Sequence, residues 1–127
     1  MKYEHLSIAM LFLAAIILCI PTTGLAQTQP QSKGVSYSEI APILQNRCLN
    51  CHSGAKAAKG LHLDTYENII KGSNDEKVVV PGQPAKSSLL LRLTGAKTPR
   101  MPRNGPPWVS NEDIALIEKW IASGAPR

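Results

Sequence analysis

The sequence is poor in aromatic residues, with one Phe, two Trp and three Tyr among 127 residues. Four of these six lie beyond residue 26: Tyr37, Tyr66, Trp108 and Trp120. The length indicates one domain. A domain with so few large apolar side chains buries little apolar area for its length. We therefore expect a large apolar cofactor to complete the core.

No apolar run is long enough to cross a bilayer. The longest, residues 6–20, spans about 15 residues, whereas a transmembrane helix needs about 20. Lys2 precedes this run, and Pro21, Gly24 and Ala26 follow it, which is the order of a secretory signal peptide. The sequence predicts a signal peptide at residues 1–26, and therefore a protein that is periplasmic or otherwise exported. A retained membrane anchor is the alternative.

The sequence has no concentrated run of basic residues. Its formal net charge is +5, and the charge is unchanged after cleavage because Lys2 and Glu4 leave together. Scattered basic residues without interleaved aromatics argue against nucleic-acid binding. A mild positive field favours an acidic protein partner or an anionic surface, and an ordinary soluble surface explains the same charges equally well.

Cysteine is also scarce. Of three cysteines, Cys48 and Cys51 alone remain after cleavage, and His52 follows them. C-x-x-C-H is the attachment signature of c-type haem, because two thiols at this spacing can add to the two vinyl groups along one porphyrin edge. The next imidazole then lies beneath the iron. We expect one covalent haem c held by Cys48 and Cys51, with His52 as the proximal iron ligand.

Three other chemistries compete for these residues. A disulfide is possible in an oxidising compartment, but its short loop would add little stability. A thioredoxin-like redox pair requires a βαβ context, which the sequence does not show. A structural zinc site needs four ligands, and the candidates are Cys48, Cys51, His52 and His62. The haem interpretation is the more specific one.

The remaining pattern is helical. Ser36 with Glu39 predicts a helix from Tyr37, with a kink or a fresh start at Pro42. Three further helices are predicted near capping residues and glycines: 65–71 after Asp64, 86–93 before Gly95, and a last helix from Ser110 to Gly124. The sequence predicts an all-α domain over residues 36–127, in which the first and last helices meet, after a flexible lead-in at 27–35.

The distal iron ligand has one strong candidate. Electron carriers usually place Met or a second His opposite the proximal ligand. Met101 is the only methionine beyond the signal peptide, and Pro99 and Pro102 restrict the backbone on both sides of it. We predict that Met101 is the distal ligand. The alternative is that Met101 is an ordinary apolar side chain that fills a gap in the packing.

His62 is the rival distal ligand. Leu61 and Leu63 alternate with it, which indicates that the leucines point inward and that His62 faces solvent.

The stretch Y-S-E-I-A-P-I-L-Q-N-R-C-L-N-C-H-S-G, from Tyr37 to Gly54, resembles the cytochrome c domains common in planctomycetes and related bacteria. The Val79–Gly82, Ser87–Leu91 and Met101-Pro102 segments resemble them as well. The resemblance implies a small cytochrome c-like domain wrapped around one covalently bound haem. It also implies thioethers at Cys48 and Cys51, with His52 and Met101 as iron ligands. The family often continues Met-Pro-Pro, whereas Arg103 stands here.

The predicted function is one-electron transfer between redox proteins, without enzymatic activity, because a six-coordinate iron has no vacant position for a substrate. The alternatives are a haem enzyme and a haem-bearing sensor or electron-entry subunit of a larger oxidoreductase complex. Trp108 and Arg103 are candidates for contact with the haem propionates. Five basic residues flank the haem-contacting segments and could steer an acidic partner: Lys56, Lys59, Lys97, Arg100 and Arg103.

Overall fold

The computed structural model describes residues 34–127. Four α-helices form in this range: α1, Tyr37–Arg47; α2, Tyr66–Lys71; α3, Ser88–Thr94; and α4, Asn111–Ala122. Short 3-10 helices at Ala58–Gly60 and Pro84–Lys86 precede α2 and α3. No β-strand occurs within residues 34–127, which confirms the all-α prediction for this part of the chain.

The predicted signal peptide at 1–26, and residues 27–33 of the predicted lead-in, lie outside the described residues. Within residues 34–127, no helix is both long and apolar enough to cross a membrane.

Helix α1 begins at Tyr37, as the Ser36 and Glu39 capping pattern predicted. The Ser36 N–H donates to the Glu39 carboxylate at 2.8 Å, which is one half of a capping box. The helix continues through Pro42 as one element, so the predicted fresh start there is wrong. Pro42 is exposed and removes only one intrahelical hydrogen bond. Ile40 and Leu44, on either side of it, are 0% and 1% exposed, and their burial outweighs that loss.

Helix α2 begins one residue later than predicted, because Thr65 rather than Asp64 is its N-cap. The Thr65 hydroxyl accepts the Asn68 N–H at 3.2 Å. Asp64 instead accepts a hydrogen bond from the Asn68 side chain at 2.8 Å, which lowers the pKa of this carboxyl. Helix α2 then ends at Gly72, as predicted.

Helix α3 also begins later than predicted, at Ser88 rather than Lys86. Residues 84–86 form a separate 3-10 turn, and Ser87 has extended backbone angles that interrupt the helix. Helix α4 agrees with its prediction, since the Ser110 hydroxyl accepts the Asp113 N–H at 3.1 Å.

The core lies where α1, α3 and α4 meet. Trp120 of α4 is fully buried, and its ring centroid lies 6.3 Å from that of Tyr37 on α1. The Trp120 indole N–H donates to the Pro126 carbonyl at 2.7 Å, and the Tyr37 N–H donates to the same carbonyl at 3.1 Å. The predicted contact between the first and last helices is therefore confirmed.

A buried serine fixes the segment that precedes α3. Ser87 is 0% exposed; its hydroxyl accepts the Val80 N–H at 2.9 Å and donates to the Gln83 carbonyl at 3.1 Å. The Gly82 N–H donates to the Ile121 carbonyl of α4 at 2.7 Å. Outside its one 3-10 turn at Pro84–Lys86, this segment is thus fixed by hydrogen bonds to α4 and to Ser87, the residue that caps α3.

Replacing Ser87 with Ala removes the hydroxyl that accepts a hydrogen bond from the partly buried Val80 N–H. We expect Ser87→Ala to lower the free energy of unfolding by about 1–3 kcal/mol, measured by denaturant unfolding. Ser88→Ala is the matched control, because the Ser88 hydroxyl is also buried but makes no hydrogen bond to the segment that precedes α3; it interacts instead with the Glu76 carboxylate. Its removal should cost clearly less than removal of the Ser87 hydroxyl. Equal losses in the two variants would contradict the assigned role of Ser87.

Candidate functional site

The turn that follows α1 carries Cys48, Cys51 and His52. The Cys48 N–H donates to the Leu44 carbonyl at 2.9 Å. The Cys51 and His52 N–H groups both donate to the Cys48 carbonyl, at 3.2 and 3.0 Å. The chain therefore makes one further helical turn after α1, on which residues three and four positions apart are neighbours. The backbone brings both cysteines and the histidine together, as the motif predicted.

The two thiols are not joined to each other. Cys48 is half-buried, Cys51 is exposed, and both are free. Burial raises the pKa of the Cys48 thiol to about 11, against the opposing effect of the Arg47 charge. Cys48 is thus a neutral thiol at neutral pH, and neutral thiols are poor nucleophiles and poor metal ligands. A thioether carries no charge, so it suits this position without the cost of burying a thiolate.

His52 is half-buried, and its Nδ1 atom is buried with no hydrogen-bond partner among the described residues. Burial lowers the pKa of His52, while the backbone of Leu61 and of Ala58 acts in the opposite direction. The imidazole is therefore neutral at pH 7, and the neutral ring is the form that binds metals. The His52 carbonyl accepts the N–H of buried Leu63 at 2.9 Å, which fixes the backbone at this residue.

The donor set fits a covalently held haem. Two unpaired thiols and one neutral imidazole share a single turn, and one polar nitrogen in that imidazole still lacks a partner. The competing zinc site does not form in the part of the chain that the structure describes: although Cys48, Cys51 and His52 share a turn, no group of three His, Cys, Asp or Glu side chains there is arranged to hold one metal ion.

Met101 lies on a separate segment, the irregular stretch at residues 98–108, which we call the proline-rich loop. Met101 is half-buried, and its N–H donates to the Arg92 carbonyl of α3 at 3.0 Å. The Arg92 guanidinium also donates to the carbonyls of Thr98 and Pro99, at 2.9 and 3.2 Å. The start of the loop is therefore bonded to α3.

The far end of the proline-rich loop is held by two other arginines. Arg47, the last residue of α1, donates through its guanidinium to the Pro107 carbonyl. The Arg100 guanidinium lies over the Trp108 ring, 4.4 Å from its centroid, and donates to the Leu93 carbonyl at 3.3 Å. Because Arg47 immediately precedes Cys48, its bond joins the loop to the cysteine-bearing turn.

Arg47 and Arg92 were not predicted from the sequence as residues of the site. The available signals were weak: Arg92 is the only charged residue of α3, and Arg47 directly precedes the motif. His62 also differs in part from its prediction. Leu63 is buried and Leu61 packs against the core, as the alternation predicted, but His62 is half-buried rather than fully exposed.

Three of the five basic residues that were expected to flank the site have partners within the protein. Lys59 lies 3.4 Å from Asp75, Lys97 lies 2.7 Å from Glu76, and Arg100 binds as described above. Lys56 and Arg103 are exposed, and no ion pair of theirs occurs within residues 34–127.

Residues 48–105 match the family model of planctomycete cytochrome C. The matched range includes the C-x-x-C-H turn, α2, α3 and Met101. A domain of this family implies haem and suggests a role in electron transfer rather than in catalysis. No curated protein and no solved structure matched the chain.

Close packing inside the proline-rich loop can be tested at Gly105. A Cβ atom at this residue would overlap the Trp108 ring, and overpacking of this kind costs about 1–3 kcal/mol. We expect Gly105→Ala to destabilise the otherwise native protein by this amount, and to cost clearly less in a Trp108→Leu background. Thermal unfolding of the four proteins of this double-mutant cycle measures the coupling. A Gly105→Ala cost that is the same in both backgrounds would refute the contact.

Proposed function

Since residues 48–105 match the family model of planctomycete cytochrome C, we propose that the protein is an exported monohaem c-type cytochrome that carries single electrons between redox proteins. The observation that carries this proposal is the single turn after α1, which presents two free thiols and a neutral imidazole together. The predicted signal peptide at residues 1–26 supports export to an oxidising compartment.

Four side chains are proposed to hold the haem. Cys48 and Cys51 form thioethers, His52 is the proximal iron ligand and Met101 is the distal ligand. When bound, the haem supplies one-electron exchange, and a methionine ligand raises its reduction potential. The chain would wrap around this group, and its own contribution is binding, tuning of the potential and a docking surface.

The exposure of the site supports a carrier role. Cys51 is exposed and Cys48 only half-buried, so the proposed thioethers would place one porphyrin edge close to the protein surface. A partner protein could then exchange electrons at that edge without entering the fold. Lys56 and Arg103 are exposed and could attract an acidic partner by their charge.

The proposed distal ligand also argues against a haem enzyme. An iron that is bound by both His52 and Met101 has no open position for a substrate or peroxide. The proline-rich loop supports this arrangement. Met101 itself is bonded to Arg92 of α3, and Pro107 is bonded to Arg47 of α1, so both ends of the loop are held and the motion of Met101 is restricted.

Covalent attachment is tested with protein exported from a host that has a haem-attachment system. Wild-type protein should keep its pigment in acidified organic solvent, because thioether bonds do not break there. Cys48→Ser and Cys51→Ser should each retain pigment through the remaining thioether, and the double variant should release it. Loss of the pigment from the wild-type protein would overturn the proposal.

The distal ligand is tested with carbon monoxide and the reduced protein. Met101→Ala should bind carbon monoxide rapidly and should have a lower reduction potential, because the thioether ligand is gone. Wild type should resist carbon monoxide, and His62→Ala is the control that should behave like wild type. Rapid binding by wild type, or by His62→Ala alone, would contradict the assignment of Met101.

A further inference from the structure

Arg92 joins α3 to the proline-rich loop through both its main chain and its side chain. Its carbonyl accepts the Met101 N–H at 3.0 Å, and its Nη1 atom donates to the carbonyls of Thr98 and Pro99 at 2.9 and 3.2 Å. Three of the four residues from 98 to 101 are thus bonded to one residue of a packed helix.

Arg92 is in turn oriented by Glu76. Its Nη2 atom lies 3.8 Å from one Glu76 carboxylate oxygen, and the other carboxylate oxygen lies 2.7 Å from Lys97 Nζ. The Arg92 and Glu76 side chains are 25% and 35% exposed, so solvent screens the pair only in part. The hydrogen bond from Lys97 is the largest cause of the lowered pKa of Glu76, which keeps this carboxylate charged at neutral pH.

The helix that carries Arg92 is a rigid support for the loop. Its neighbours Leu90 and Leu93 are 6% and 2% exposed, and α3 packs against α4. A residue bonded to α3 therefore takes its position from the core rather than from the loop itself.

We propose that Arg92, oriented by Glu76, is the positioning residue that keeps Met101 on the haem iron. This inference rests on the proposed function, which assigns Met101 as the distal ligand. A thioether is a weak ligand, so an external ligand replaces it whenever the loop opens. Bonds to Thr98, Pro99 and Met101 reduce that opening because they fix the backbone immediately before and at the methionine.

Arginine suits this position better than lysine. Its planar guanidinium offers several N–H donors in a fixed arrangement, so one side chain can bind two carbonyls and face a carboxylate at the same time. Lysine would keep the charge at this position but would not reproduce that arrangement.

The test is the affinity of the ferric, haem-loaded protein for imidazole, which must displace Met101 in order to bind. Arg92→Gln should bind imidazole about tenfold more tightly than wild type, which corresponds to about 1.4 kcal/mol. It should also weaken the charge-transfer absorption that marks methionine bound to ferric haem. Arg92→Lys should give a smaller change in the same direction. Imidazole affinity is read from the haem spectrum and is independent of electron-transfer activity.

Lys86→Gln is the matched control. It removes one positive charge beside the start of α3, where Lys86 is exposed and has no side-chain hydrogen bond or ion pair among the described residues. Its imidazole affinity should equal that of wild type, which separates loss of the carbonyl bonds from a general change in charge. A change in Lys86→Gln as large as that in Arg92→Gln would overturn the proposal.

Met101→Ala separates the failure of this inference from the failure of the proposed ligand. If Met101→Ala binds imidazole tightly while Arg92→Gln keeps the wild-type imidazole affinity and only unfolds at a lower temperature, Arg92 has a structural role alone. In that case this inference fails and the assignment of Met101 stands. If Met101→Ala and wild type bind imidazole equally, the assignment of Met101 fails as well. Should Arg92→Gln not fold, Glu76→Gln and Arg92→Lys provide the same readout, and unchanged affinity in both would refute the inference.

Discussion

Packing of α1 on α4 is the constraint on which the candidate site depends, because the cysteine-bearing turn begins at the residue where α1 ends. Ile40 and Leu44 of α1 are buried together with Trp120 of α4, so the direction and the end of α1 are fixed by the core. The Cys48 carbonyl then accepts two N–H groups and continues the helix for one more turn. The motif supplies the chemistry, but the position of the motif comes from side chains at helical spacing before it.

Features that depend on neighbouring residues could be predicted from the sequence. The Ser36 and Ser110 caps, the C-x-x-C-H motif and the irregular loop around Met101 all follow from residues within a few positions of each other. Errors arose where two adjacent residues could play the same role, as with Asp64 and Thr65, or where packing outweighed local preference, as at Pro42. Bonds between distant residues, such as Arg47 with Pro107, were not predictable because a guanidinium that binds a carbonyl has no sequence motif.

The basic residues have a different use from the one that composition indicates. From composition alone, a net charge of +5 indicates either an acidic partner or an ordinary soluble surface. In the structure, Lys97 and Arg92 both face Glu76, while Lys59 lies beside Asp75. Much of the positive charge near the candidate site is therefore balanced by local carboxylates. The field available to attract a partner is correspondingly smaller, and it is concentrated at residues such as Lys56 and Arg103, whose charges lack such neighbours in the described part of the chain.

The proline-rich loop explains why arginines gather around it. Four of its eleven residues, at positions 99, 102, 106 and 107, are prolines, and a proline has no backbone N–H to donate. Carbonyls in such a loop therefore have few backbone donors near them. Arginine side chains from α1 and α3 supply the missing donors at Pro107, Thr98 and Pro99. The prolines restrict the conformations of the loop, and the arginines determine where the restricted loop lies, so neither alone would hold Met101 in one place.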